Sequence, residues 1–277
     1  MVKGKLNVRA SLAAVGIGFW LAMAGGVSAG PGGERIVGGD VADPADWPFI
    51  AAVTSRRGNQ FCGGSVVAEE AVVTAAHCMF DLFGRLKKPR DLRVITGRPD
   101  LDEESDGQQI KVERISVHRE YLRRGEHDIA VLNLKGPAEV PPVLLPTIFE
   151  GVSETEPDDE LRVAGWGGTD QFGGHPSAVL LDVALFAISD AQCSTYFGGV
   201  FRPTEEVCAF GEEVAPDRYN DSCYGDSGGP LIADAPRGAL LVGLVSYGGN
   251  KCGVEEPGVY AQVADNLGFV ERKAGLR

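Results

Sequence analysis

Beyond residue 35 the apolar positions fall in short runs, at 49–53, 65–67, 71–73, 92–95, 110–117, 129–134, 161–164, 180–188, 231–232, 239–245 and 258–263, with glycine, proline and acidic turns between them. Short runs at such intervals predict an all-β chain, folded as a sandwich or barrel. No stretch carries a sustained helical period except the one from Asp265 onward, where a short C-terminal helix is expected. Residues 100–107 and 150–160 are acidic and polar and read as exposed loops. The second of these, or the proline-rich stretch 137–146, would join two halves of the fold.

The first 29 residues break the pattern. Lys3, Lys5 and Arg9 precede an apolar stretch from Ala10 to Met23, and small residues then lead to Val27-Ser28-Ala29. That order predicts a secretory signal peptide over 1–29, cleaved after Ala29. As a membrane anchor the stretch falls short of the roughly 20 apolar residues that a spanning helix needs. The chain from residue 30 is expected to be secreted, with no membrane attachment once the leader is gone.

Composition changes the picture in three ways. With 44% hydrophobic and 23% charged residues, the chain can bury a core and is not a disordered polymer. A net charge of −13 argues against nucleic acid as a partner. Six cysteines, at 62, 78, 193, 208, 223 and 252, predict disulfides in a secreted chain, in any of 15 pairings. No Cys-x-x-Cys pair occurs and the histidines are scattered, so no structural metal is expected.

Three segments carry reactive side chains. They are Thr74-Ala75-Ala76-His77-Cys78, His127-Asp128-Ile129-Ala130 and Gly225-Asp226-Ser227-Gly228-Gly229-Pro230. Singly each is modest, because a serine between glycines is usually a turn and a histidine beside a cysteine is usually structural. Together, in the order His, Asp, Ser, they resemble the trypsin–chymotrypsin family of serine proteases, over residues 36–277. The resemblance implies two six-stranded antiparallel β-barrels with the active site between them. It implies Ser227 as nucleophile, His77 as general base and later acid, and Asp128 as the group that orients the imidazole. The N–H groups of Gly225 and Ser227 would receive the oxyanion. His127 is a decoy beside Asp128, since it lacks the Ala-Ala-His-Cys setting. His118 and His175 read as loop or surface residues without partners.

The same resemblance assigns further residues. Arg35-Ile36-Val37-Gly38-Gly39 matches the family's zymogen junction, which makes 30–35 an activation propeptide. Cleavage after Arg35 would free the Ile36 amine to pair with Asp226, and a buried ion pair left half-made is a strong switch. Asp221 would lie on the floor of the primary pocket and select Arg or Lys. Ser222 would add an acceptor, and Gly248 and Gly258 would leave the walls open. An apolar pocket of chymotrypsin or elastase type would have no use for Asp221. Ser246-Tyr247-Gly248 would pair with an extended substrate, Ser246 also bonding Asp128, although the family usually has tryptophan where Tyr247 stands. Tyr224 would sit at the pocket rim. The implied disulfides are Cys62–Cys78, Cys193–Cys208 and Cys223–Cys252. Some family members bind calcium in a loop that aligns near 98–106, but here Arg98 stands where the first carboxylate is expected, so the loop reads as solvated. The expected partners are polypeptide substrates with Arg or Lys at the cleavage site, and protein protease inhibitors, around a monomer without a cofactor. The competing reading is a catalytically inactive homologue that serves as a binding or scaffold protein.

Overall fold

The apolar runs become the strands of two antiparallel barrels in the computed structural model, which describes residues 36–277. The expected leader (1–29) and propeptide (30–35), with Arg35, lie outside the described residues. The first barrel is built from β1 (Ile50–Ser55), β2 (Gln60–Ala68), β3 (Ala71–Thr74), β4 (Leu92–Thr96), β5 (Gln108–Val117) and β6 (Ala130–Leu134). It closes in the order β1-β2-β3-β6-β5-β4. The second uses β7 (Glu160–Gly165), β8 (Leu181–Ile188), β9 (Glu206–Gly211), β10 (Pro230–Ala235), β11 (Gly238–Tyr247) and β12 (Gly258–Gln262). Its order is β7-β8-β9-β12-β11-β10, and β10 pairs back onto β7. The two halves therefore share one strand order.

The strands follow the period-two rule where one face is wet. In β8, Leu181, Val183, Leu185 and Ala187 are buried and the residues between them are partly exposed. β3 is buried along its whole length, as a run without polar alternation requires. Each core Val, Leu or Ile contributes about 1.5–3 kcal/mol through removal from water.

The C-terminal helix forms as expected, over Leu267–Ala274, but three further short helices do not follow the sequence expectation. In chain order the set is α1 (Arg119–Arg124), α2 (Ile148–Ser153), α3 (Asp190–Phe197) and α4 (Leu267–Ala274). Residues 150–160, expected as a loop, are thus helical through Ser153. Helices this short cannot display a periodicity, but two of them carry end signals. Thr147 with Glu150, and Ser189 with Gln192, form reciprocal capping boxes at the starts of α2 and α3. The acidic stretch after β4 is an exposed loop, and Arg98 reaches across it: Nε donates to the Asp106 carbonyl at 2.7 Å and Nη2 to that of Glu104 at 3.0 Å. The three disulfides pair as the resemblance implied.

Candidate active site

The three reactive motifs lie at strand ends on both sides of the seam between the barrels. His77 follows β3 in a single 3-10 turn over His77–Met79. Asp128 leads into β6, and Ser227 sits in the turn before β10. His77 Nδ1 lies 2.7 Å from Asp128 Oδ2, and the His77 amide donates to Asp128 Oδ1 at 2.8 Å. The Ser246 hydroxyl, at the end of β11, donates to Asp128 Oδ2 at 2.6 Å. Burial pushes the Asp128 carboxyl up, but the bonds from His77 and Ser246 outweigh it and hold the group below its usual range.

His77 and Ser227 face one cleft of about 470 Å³. Among the described residues, no hydrogen bond joins the Ser227 hydroxyl to the His77 ring; such contacts often tighten only when substrate is bound. The turn around Ser227 is fixed by its backbone. The Ser227 carbonyl accepts from Gly63 on β2 at 2.8 Å, and the Gly228 amide donates to Val245 on β11 at 2.7 Å. Gly228 has φ +77°, and a Cβ there would fall 2.2 Å from Thr74 Oγ1, so only glycine fits between the barrels. Gly225 has φ +105°, again a glycine conformation. The amides of Asp226, Gly228 and Gly229 are spent on internal bonds. Among the described residues, no protein acceptor is bonded to the N–H of Gly225 or Ser227. Two free donors beside a hydroxyl can stabilise a negative oxygen that forms there.

The cleft ends at Asp221. Its carboxylate accepts from the Gly253 amide at 2.9 Å, and its own amide donates to the Val37 carbonyl at 3.2 Å. Burial raises the Asp221 carboxyl to about 7, against the bonds from Gly253 and Ser222 and with help from the charge of Asp226. Ser222 Oγ lies 3.3 Å from the hydroxyl of buried Tyr260. Gly248 and Gly258 line the cleft, and Cys223–Cys252 joins two of its walls. A Cβ on Gly258 would stand 2.8 Å from the Tyr260 hydroxyl. Tyr224 is exposed at the rim, and Tyr247 lies edge-on to Phe197 with its hydroxyl 3.0 Å from Glu206 Oε2. Asp226 is buried, with Oδ1 accepting from the Gly167 amide at 2.7 Å and Oδ2 from that of Cys223 at 2.9 Å. Burial nonetheless raises it to about 6. A larger cavity of about 640 Å³ lies elsewhere, between α2 and α3, and holds none of the motif residues.

A family-level comparison matches residues 36–270 to the family described as Trypsin. A curated trypsin from Saccharopolyspora erythraea is 34% identical over 229 residues, covering 82% of this chain and 93% of that protein. The chain belongs to the trypsin family. Its two barrels are the fold of that family, and His77, Asp221, Ser222, Ser227, Ser246, Gly248 and Gly258 line one cleft, with Asp128 bonded to His77 and Ser246 behind it.

Four placements refine the sequence reading of this trypsin-family chain. His127 is turned away from the cleft, with its Nδ1 3.0 Å from Asn266 Oδ1 and its Nε2 3.4 Å from Glu205 Oε2. His118 does have partners: its ring accepts from the Glu120 amide at 3.4 Å, and lies 4.6 Å from the His127 ring, centroid to centroid. His175 is exposed but has a partner too, since its Nδ1 is 3.2 Å from Asp170 Oδ2. Cys62, His77 and Cys78 cluster closely enough to suggest a metal, yet both sulfurs are spent in a disulfide. Reading the sequence missed Glu205 and Glu206, two buried carboxylates at the head of β9. The available signal was a pair of consecutive acids opening a buried strand.

Proposed function

We propose that this trypsin-family protein is a secreted serine endopeptidase, made as an inactive precursor, that cleaves peptide bonds after Arg or Lys. The single observation that carries the specificity is the carboxylate of Asp221, desolvated at the end of the same cleft that holds His77 and Ser227. A carboxylate raised to about 7 by burial is stabilised by a cation, and a guanidinium or ammonium on a long stem fits an open-walled slot.

In the proposed reaction His77 takes the Ser227 proton as its oxygen attacks the scissile carbonyl. The tetrahedral oxyanion lies against the N–H groups of Gly225 and Ser227. His77 then protonates the leaving amine, and a water repeats the sequence to release the acyl group from Ser227. Asp128, held by Ser246, keeps Nδ1 protonated and faces the imidazolium. Cleavage after Arg35 supplies the Ile36 ammonium to Asp226, which offsets the cost of burying that carboxylate and fixes the turn that carries Gly225. Substrates and protein inhibitors that present Arg or Lys are the proposed partners, and a monomer suffices because both barrels come from one chain. Secretion rests on the leader over 1–29, and sequencing the N-terminus of protein recovered from the medium tests it.

The deciding experiment is a peptide-library cleavage profile of protein cut after Arg35, with organophosphate labelling in parallel. Cleavage after Arg and Lys with a labelled Ser227 is expected. A profile peaking after Phe or Leu would overturn the assignment of Asp221, and an unlabelled serine in the cleaved protein would instead mark an inactive homologue.

A further inference from the structure

We propose that Glu205 and His127 form a positioning pair that fixes Asp128 across the seam between the barrels. The inference rests on the function proposed above, in which Asp128 orients His77. His127 immediately precedes Asp128 and has φ +57°, a left-handed backbone that few side-chain-bearing residues adopt. Such a conformation persists only where the surroundings over-determine it, and here they do. The His127 amide donates to Glu205 Oε2 at 2.5 Å, and the ring Nε2 lies 3.4 Å from the same oxygen. The ring Nδ1 lies 3.0 Å from Asn266 Oδ1, while Asn266 Nδ2 donates to the Gln262 carbonyl at 2.7 Å, which settles the end of the amide that faces the ring. The His118 ring closes the remaining side and is itself edge-on to Phe269.

Glu205 is the unusual member. It is 4% exposed, belongs to the second barrel, and reaches residue 127 of the first. Arg202 Nε lies 3.3 Å from its other oxygen, so the carboxylate is neutralised and aimed. Packing alone would be served better by an apolar side chain, because a buried charge must be paired and bonded to be tolerated. The bond to the His127 amide does something an apolar group cannot. It fixes the dihedral angles one residue before Asp128, whose two oxygens must meet the His77 amide, the His77 ring and the Ser246 hydroxyl at once. Rotation at residue 127 would swing that carboxylate, and a misplacement of about 1 Å from a change remote from the chemistry can lower a rate about 10²-fold. Glu205 touches neither substrate nor reacting atoms, so its role is positioning.

The test uses protein cleaved after Arg35 and two variants. Glu205→Ala removes the acceptor of the His127 amide, and His127→Gly keeps a residue at ease with positive φ while removing both ring anchors. kcat and KM are measured on an arginine amide substrate, together with the Kd of benzamidine, which reads the Asp221 pocket. Expected is a kcat about tenfold lower in each variant, with KM and benzamidine Kd changed by less than about twofold. In an Asp128→Asn background neither variant should lower kcat further, since the group they position is already disabled. An unchanged kcat in folded protein, a full additional loss in the Asp128→Asn background, or a parallel loss of benzamidine affinity would each overturn the proposal. If Glu205→Ala does not fold, His127→Gly decides alone. A wild type that neither cleaves nor labels at Ser227 would refute the proposed function itself, an outcome separate from a flat variant series on active enzyme.

Discussion

Asp221 and Asp226 are both raised by burial, to about 7 and about 6, yet the proposed function gives them different cations. Asp221 lines the cleft, and in the proposed function it takes the substrate's cation, so a cationic inhibitor would bind only its ionised form. Benzamidine should therefore tighten as pH rises from 5 through about 7 and then level off, as calorimetry across that range can check. The same group acts on folding with the opposite trend. Its folded value lies above its unfolded one, so the native state keeps a proton that the unfolded chain releases between about pH 4 and 7. Its contribution to stability thus falls as pH rises through that window. Asp221→Ser should be more resistant to urea than the wild type at pH 8, with the difference closing near pH 4. On activity the same variant should lose roughly 10²–10³-fold in kcat/KM for arginine substrates, because a buried charge pair would lose one partner.

At the scale of single elements, the turn around Ser227 shows why its glycines are fixed by geometry. Gly228→Ala would force a Cβ against Thr74 Oγ1 at positive φ. A loss of about 2–4 kcal/mol in a denaturant titration is expected, from backbone strain and overpacking together. Ser189→Ala should cost about 1 kcal/mol by removing the cap of α3. These elements also explain what could be read in advance. His77, Ser227 and Asp221 were legible because each lies in a motif beside a tight turn or a disulfide cysteine, and Asp128 because it stands between His77 and Ser227 in the order that made the three motifs readable together. The strands were legible because apolar runs this short have few other uses. Helices α1, α2 and α3 were not, since a turn or two shows no period, although the capping residues of α2 and α3 were in plain view. The Glu205 clamp was illegible for a different reason: its two members are separated by 78 positions, and nothing local to either announces the other.

For the whole molecule, the seam matters more than either barrel. His77 and Asp128 come from one half, and Ser227, Ser246 and Asp221 from the other. Asp226 sits behind that seam with two amides as its bonded partners, and Val37 is packed against Cys223 and Cys252. Asp226→Asn should accordingly be cut normally after Arg35 yet remain without activity, with its circular dichroism unchanged. Gel electrophoresis and a chromogenic assay on the same sample would separate cutting from activation. Full activity in the cut Asn variant would dissociate Asp226 from the switch.

Arg98 has a consequence for durability. A tethered guanidinium that clasps the Glu104 and Asp106 carbonyls cannot be rinsed away or sequestered, as a dissolved counter-ion can. Heat inactivation should therefore proceed at the same pace with a chelator as without one, whereas Arg98→Ala should open the loop to proteolytic nicking in either medium.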